Sequence, residues 1–294
     1  MLDSSKDKIL DLINQSGFPF QHHCAKRIKS IGKFEVAQEV PYTYPGSNGP
    51  LLGVHGTIDI LATARDAQET ENIICFVVEA KKANKELKKW FFFENQEKNP
   101  RWPAFVFELE NSKGGRSTAV TRTLTLPDVD YVSPASYQFC SNALETNEQL
   151  SAINKSQQEK VYNSLKQAAH ASRAFMNMPK AIEGLKDLTK GSYKNLIFLP
   201  VVVTNADLFI PKFSRKALLD GEIKPKNFDL GESLKWLTYD FPLPDYSSYS
   251  FTRPDGKSIL MEKLTVFIVN INSLEEFFDN ARNIQTINGI PPSW

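Results

Sequence analysis

The sequence predicts a single α/β domain, and three of its features do so. The segments from Ile73 to Val78 and from Leu196 to Val203 are apolar runs of strand length, as expected for strands covered on both faces. Segments with apolar residues at helical spacing precede and separate them. The chain has no internal repeat and no low-complexity tail. One domain of residues 1–294 is therefore expected, with a core over about 1–210 and a C-terminal extension over about 211–294.

Composition narrows the class. Of 294 residues, 41% are apolar and 23% charged, the balance of a folded soluble chain and not of a disordered one. With 35 basic residues against 34 acidic ones, contact with nucleic acid would have to come from local patches. No apolar run approaches the length of a membrane span, and the mixed charge of residues 1–15 does not fit a secretory signal. Cys24, Cys75 and Cys140 are widely spaced and form no CxxC pair, which predicts reduced thiols and a cytoplasmic protein.

The elements follow in order. Ser5 is placed to cap a first helix whose apolar face is Ile9, Leu12 and Ile13. Gly17 and Pro19 mark a turn. Phe20, Cys24, Ile28 and Ile31 then recur at helical spacing, with His22, Lys26, Arg27 and Lys29 on the other face. After Gly32 the pattern is that of strands: Phe34 to Tyr44, a turn over residues 46–50, then Leu51 to Ala64 and Ile73 to Ala80. Trp90–Phe93 and Phe105–Leu109 are expected to continue the sheet, and residues 111–116 to form a mobile basic loop. Glu148 to Asn177 predicts a long helix with Val161, Leu165, Ala168, Ala169 and Phe175 inward, and Leu196 to Thr204 a further buried strand. In the last third, Trp236–Tyr239 and Leu264–Ile271 read as strands separated by a loop rich in Pro, Ser and Tyr. Ser273 and Glu276 have the spacing of a capping box at the start of a final helix.

The segment that carries chemistry is Gly56-Thr57-Ile58-Asp59-Ile60-Leu61, followed by Phe76-Val77-Val78-Glu79-Ala80-Lys81. Side chains alternate along a strand, so Glu79 and Lys81 point one way and Ala80 the other. If the two strands pair as a hairpin, Asp59 comes beside Glu79. Two acids among Val and Ile are costly to bury unless a cation compensates them. Oxygen ligands favour a hard divalent ion such as Mg²⁺. Lys81 would then stand where it can orient a water molecule or take its proton, and the matching reaction is metal-assisted hydrolysis of a phosphodiester.

An acid on one strand followed by E-x-K at the end of the next apolar strand resembles the PD-(D/E)xK phosphodiesterase superfamily, whose fold is restriction-endonuclease-like. The resemblance covers about the first hundred residues. It implies a mixed central sheet flanked by helices and a Mg²⁺-dependent nuclease, with Mn²⁺ as a substitute, acting as an endonuclease on DNA before RNA. Carried over residue by residue, Asp59 and Glu79 resemble the metal ligands, with the main-chain carbonyl of Ala80 completing the set, and Lys81 resembles the catalytic lysine. The family often places a glutamate on the preceding helix; the matching position here is Gln21, a neutral amide that adds no negative charge. Ile58 stands where the motif has proline. The resemblance also leaves room for a homodimer or for a partner subunit in a restriction or anti-phage defence system.

Other residues join the expected site more loosely. Lys81 to Lys89 contains five lysines and one glutamate, so Lys82 and Lys85 are candidates for phosphate contact, as are Lys113 and Arg116 on the Gly-Gly loop. Gln167 on the long helix is a candidate for positioning water or phosphate. The histidines are read as structural, since adjacent His22 and His23 diverge on a helix. Tyr246, Tyr249, Phe251 and Arg253 interleave aromatics with a cation, which suits base stacking less than packing on the sheet. No P-loop motif is present. Two alternatives stand beside the nuclease: a binding or scaffold subunit that kept the fold and lost the activity, and a small-molecule enzyme in which Lys81 is the nucleophile.

Overall fold

The computed structural model describes residues 2–46, 49–65, 72–83, 88–94, 102–109, 117–125, 139–146, 155–176, 195–213, 224, 226, 228–242, 249–252, 258–261, 263–282 and 285–287. Two helices, α1 (Leu2–Gln15) and α2 (Phe18–Ser30), lead into a hairpin of β1 (Glu35–Gly46) and β2 (Gly49–Arg65), followed by β3 (Asn72–Lys81). Then come β4 (Lys89–Glu94), β5 (Trp102–Leu109), β6 (Ser117–Thr125), β7 (Phe139–Thr146), α3 (Lys155–Met176), β8 (Asn195–Thr204) and β9 (Asp207–Phe209). The last third holds β10 (Lys212–Phe213), β11 (Phe228–Asp229), β12 (Trp236–Pro242), β13 (Tyr249–Thr252), β14 (Ser258–Met261), β15 (Lys263–Asn270), α4 (Leu274–Ala281) and β16 (Gln285–Ile287).

The architecture is α/β, with a mixed central sheet flanked by helices. Its strands run in the order β1-β2-β3-β8-β15-β12 and continue through β7, β4 and β9. β2 is antiparallel to β1 and β3, whereas β3, β8 and β15 are mutually parallel. β3 and β8 are buried along almost their whole length, which is why both read as unbroken apolar runs.

Alternation along β3 builds two cores. Ile73, Cys75 and Val77 join Leu165, Ala168 and Phe175 of α3 on one face. Ile74, Phe76, Val78 and Ala80 join Cys24 and Ile28 of α2 and Phe277 and Phe278 of α4 on the other. α2 is fixed to α4 by the Arg27 guanidinium, which pairs with the Glu275 carboxylate and donates from Nη1 to the Ile271 carbonyl at 2.7 Å. Gln21 is therefore carried by a helix anchored at its far end.

Several expectations are corrected. The first helix begins at Leu2, so Ser5 lies inside it, and Ile9, Leu12 and Ile13 are exposed at 56%, 66% and 49% instead of packed inward. The long helix begins at Lys155, not Glu148; residues 147–154 lie outside the described ones. Strands β6 and β7 have no counterpart in the sequence reading. Tyr249 and Phe251, expected in a loop, belong to the β13–β14 hairpin, while Tyr246 and Arg253 lie outside the described residues. The final helix starts after Ser273 as predicted, but no capping box forms. A 3₁₀ turn precedes the helix, capped by the Asn270 side chain, and Glu276 pairs with Lys235 at 2.8 Å. Among the described residues, no helix is long and apolar enough to cross a membrane.

Candidate functional site

The site lies where β2 leaves β3. Their ladder runs from Arg65↔Ile73 to Ile60↔Val78, and one further step sets Asp59 at the level of Glu79. At that step the side chain replaces the backbone: Asp59 Oδ2 accepts the Ala80 N–H at 2.7 Å. On its other edge β3 stays paired with β8 through Glu79↔Val202, Ala80↔Val203 and Lys81↔Thr204. The E-A-K segment is thus held by the β8 ladder on one side and by the Asp59 carboxylate on the other.

Strand alternation carries Glu79 and Lys81 to the α3 face. Glu79 is only 6% exposed, and its Oε2 has no hydrogen-bond partner among the described residues. Burial foremost, then the charge of Asp59, raises the Glu79 pKa; Lys81 opposes this. Asp59 is also raised, chiefly by burial and further by Glu39, against the lowering effects of the Ala80 amide and Lys81. Tyr42 reports the same congestion: burial and then the Glu79 charge push its phenol up to about 12. Tyr42 packs edge-on against Phe175 of α3.

Gln21, buried on α2, reaches across to this site. Its Nε2 donates to the Asp59 carbonyl at 3.1 Å and to the Glu39 carboxylate. Glu39 is the residue that sequence reasoning missed. It sits opposite Asp59, between the pairs Gln38↔Ile60 and Val40↔Ile58, and has φ 52°. In the sequence it is one charge among several on a strand of mixed polarity; only the register and the backbone angle mark it out.

The donor set fits a hard divalent cation. Two carboxylates with raised pKa values, one bearing an unpartnered buried oxygen, form a site short of positive charge. Among the described residues no three His, Cys, Asp or Glu side chains group closely enough to hold an ion by themselves. An ion here would take Asp59, Glu79, the Ala80 main-chain carbonyl and water.

The other predicted residues are placed unevenly. Gln21, Asp59, Glu79, Ala80 and Lys81 come together. Lys82 Nζ donates to the Asn14 carbonyl at 3.1 Å, tying α1 to the end of β3. Lys85, Lys113 and Arg116 lie outside the described residues. Gln167 is half-buried on α3, and among the described residues no hydrogen bond joins it to the site. His22 and His55 are exposed beside Gln38 and Thr43, while His170 is buried, which lowers its pKa to about 4.

Comparison of the chain with family models, with curated proteins and with solved structures finds no match in any of the three.

Proposed function

We propose that this protein is a divalent-metal-dependent nuclease of the PD-(D/E)xK type, with a restriction-endonuclease-like core, hydrolysing phosphodiester bonds in DNA before RNA. The observation that carries the reading is the meeting of Asp59, Glu79, Ala80 and Lys81 where β2 parts from β3, with Glu79 Oε2 buried and unpartnered. Asp59, Glu79 and the Ala80 carbonyl would hold Mg²⁺ or Mn²⁺, which would supply charge neutralisation at a phosphoryl oxygen and a more acidic water. Lys81, half-buried on the same face as Glu79, stands where its nitrogen can orient the attacking water or, in its neutral form, take its proton. Gln21 holds the Asp59 main chain, and with it the direction of the carboxylate. Lys88 and Lys89 sit on the stretch that follows β3 and give it the positive charge that phosphates favour. A cytoplasmic setting agrees with the free, buried thiols of Cys24 and Cys75. A role in restriction or anti-phage defence, alone or as a homodimer or partner subunit, is part of the same proposal.

The second reading, a catalytically silent scaffold, rests on the neutral Gln21 standing where a third acid would add charge. Incubation of purified protein with supercoiled plasmid, linear DNA and single-stranded RNA separates the two, with Mg²⁺, with Mn²⁺ and with EDTA. The nuclease reading expects metal-dependent cutting abolished by Lys81→Ala. Cutting absent from every substrate favours the scaffold, and metal-dependent cutting unaffected by that substitution overturns the role given to Lys81.

A further inference from the structure

Both strands of the β1–β2 hairpin change faces at one point. Along β1, Val36 packs on the α2/α4 core and Ala37 on the α3 core, as alternation requires. Val40 and Tyr42, at even positions like Val36, nevertheless lie on the α3 side. Along β2, Ile60, Ala62 and Ala64 lie on the α2/α4 side, yet Ile58 lies on the α3 side. The exchange falls between residues 37 and 40 on one strand and 58 and 60 on the other, so Glu39 and Asp59 mark the crossing together. Glu39 has φ 52° and, among the described residues, is the one non-glycine in the left-handed region. An L-residue with a long side chain is disfavoured there, whereas glycine would be at ease. The position thus keeps a carboxylate at a conformational cost, and that carboxylate receives the Gln21 amide, which also bonds the Asp59 carbonyl.

We propose that Glu39 is a positioning residue: it holds the Gln21 amide, and through it fixes the Asp59 main chain at the strand crossing so that the Asp59 carboxylate stays on the Ala80 amide. The hydrogen-bond chain runs from Glu39 through Gln21 and Asp59 to Ala80. Its link to catalysis rests on the nuclease reading; its link to the backbone does not.

The test uses Glu39→Gly, which accepts the backbone angle and removes only the side chain, and Glu39→Gln, which keeps an acceptor for Gln21. Amide hydrogen exchange is followed at Ala80 and at Val77 of the same strand, with the melting temperature measured alongside. The expected result for Glu39→Gly is about tenfold faster exchange at Ala80, with Val77 protection unchanged and melting temperature unchanged or raised. Glu39→Gln retains the Ala80 protection. If wild type cuts nucleic acid, Glu39→Gly should cut about 10–100-fold more slowly, since residues that orient metal-holding groups carry effects of that size. Ala80 exchange that is unmoved, or a loss of protection spread equally over Val77, overturns the proposal. Absence of cutting in wild type, with the Ala80 effect intact, overturns the nuclease reading and leaves the positioning role standing.

Discussion

The carboxylate of Asp59 accepts the backbone N–H of Ala80 at 2.7 Å, so a side chain on β2 stands in for the ladder partner that β3 loses when β2 turns away. Three properties of the site follow from that substitution. Asp59 is drawn into the sheet, Glu79 is left buried beside it, and the Ala80 main chain is locked between the acid and β8. The arrangement comes at the expense of two carboxylates held close together.

Neutralising one acid should therefore stabilise the metal-free protein while destroying the site. At neutral pH in EDTA, Glu79→Gln is expected to raise unfolding free energy by about 1–3 kcal/mol, because folding no longer forces an acid that is ionised in the unfolded chain to take up a proton or bury its charge. The same variant should show no metal-dependent cutting. Urea unfolding and plasmid cleavage together check it, and a less stable, fully active Glu79→Gln would contradict the account.

The pH dependence has a definite sign. Asp59 and Glu79 both keep their protons to higher pH in the folded chain than in the unfolded one, chiefly through burial. Their contribution to stability is complete below the ordinary carboxylate range. It is lost as pH rises through that range toward the raised folded-state values, because the unfolded chain releases protons that the folded one retains. Metal-free wild type should thus lose stability, relative to Glu79→Gln, between about pH 4 and pH 8. With Mg²⁺ present the trend should weaken, since metal binding favours the deprotonated acids. Urea titrations across this range, with and without Mg²⁺, measure the difference.

Lys81 should separate chemistry from metal binding. It lies beside the acids and lowers the pKa of both, so its removal leaves the cation's ligands in place. Lys81→Ala is expected to lower kcat by about 10²–10⁴-fold, the range for a positioned acid–base group. Mn²⁺ affinity should be retained or raised. Single-turnover cleavage and calorimetry distinguish this from a lysine that only neutralises the site, whose loss would leave kcat largely intact.

Gly56 tests the wall of the site. It faces Tyr42 across the hairpin, and a Cβ there would come 2.5 Å from the Tyr42 ring. Gly56→Ala should destabilise by about 1–3 kcal/mol, as overpacking does. Adding Tyr42→Leu should return most of the loss. A double-mutant cycle by urea unfolding is the check; strict additivity would place the cost elsewhere.

The sequence made some of this legible and hid the rest, for physical reasons. Asp59, Glu79 and Lys81 could be read because charges interrupting apolar strands are expensive, and the E-x-K alternation fixes their shared face. Gln21 could be read from helical spacing against Cys24 and Ile28, which do lie in the core. Glu39 could not, since its place depends on a strand register and a backbone angle that no local pattern encodes. The inward face expected for α1 failed because amphipathic spacing says which residues share a face, not what covers them. The capping box at Ser273 failed because the preceding 3₁₀ turn supplies a different cap, from Asn270, and Glu276 bonds Lys235 instead.

The most direct test of the central claim is calorimetric titration of Mn²⁺ into the metal-free protein and into its Asp59→Ala and Glu79→Ala variants. Saturable binding is expected in wild type and is lost in both variants, while the fold, followed by circular dichroism, persists. Binding that survives both substitutions, or a wild-type protein that takes up no Mn²⁺, would contradict it.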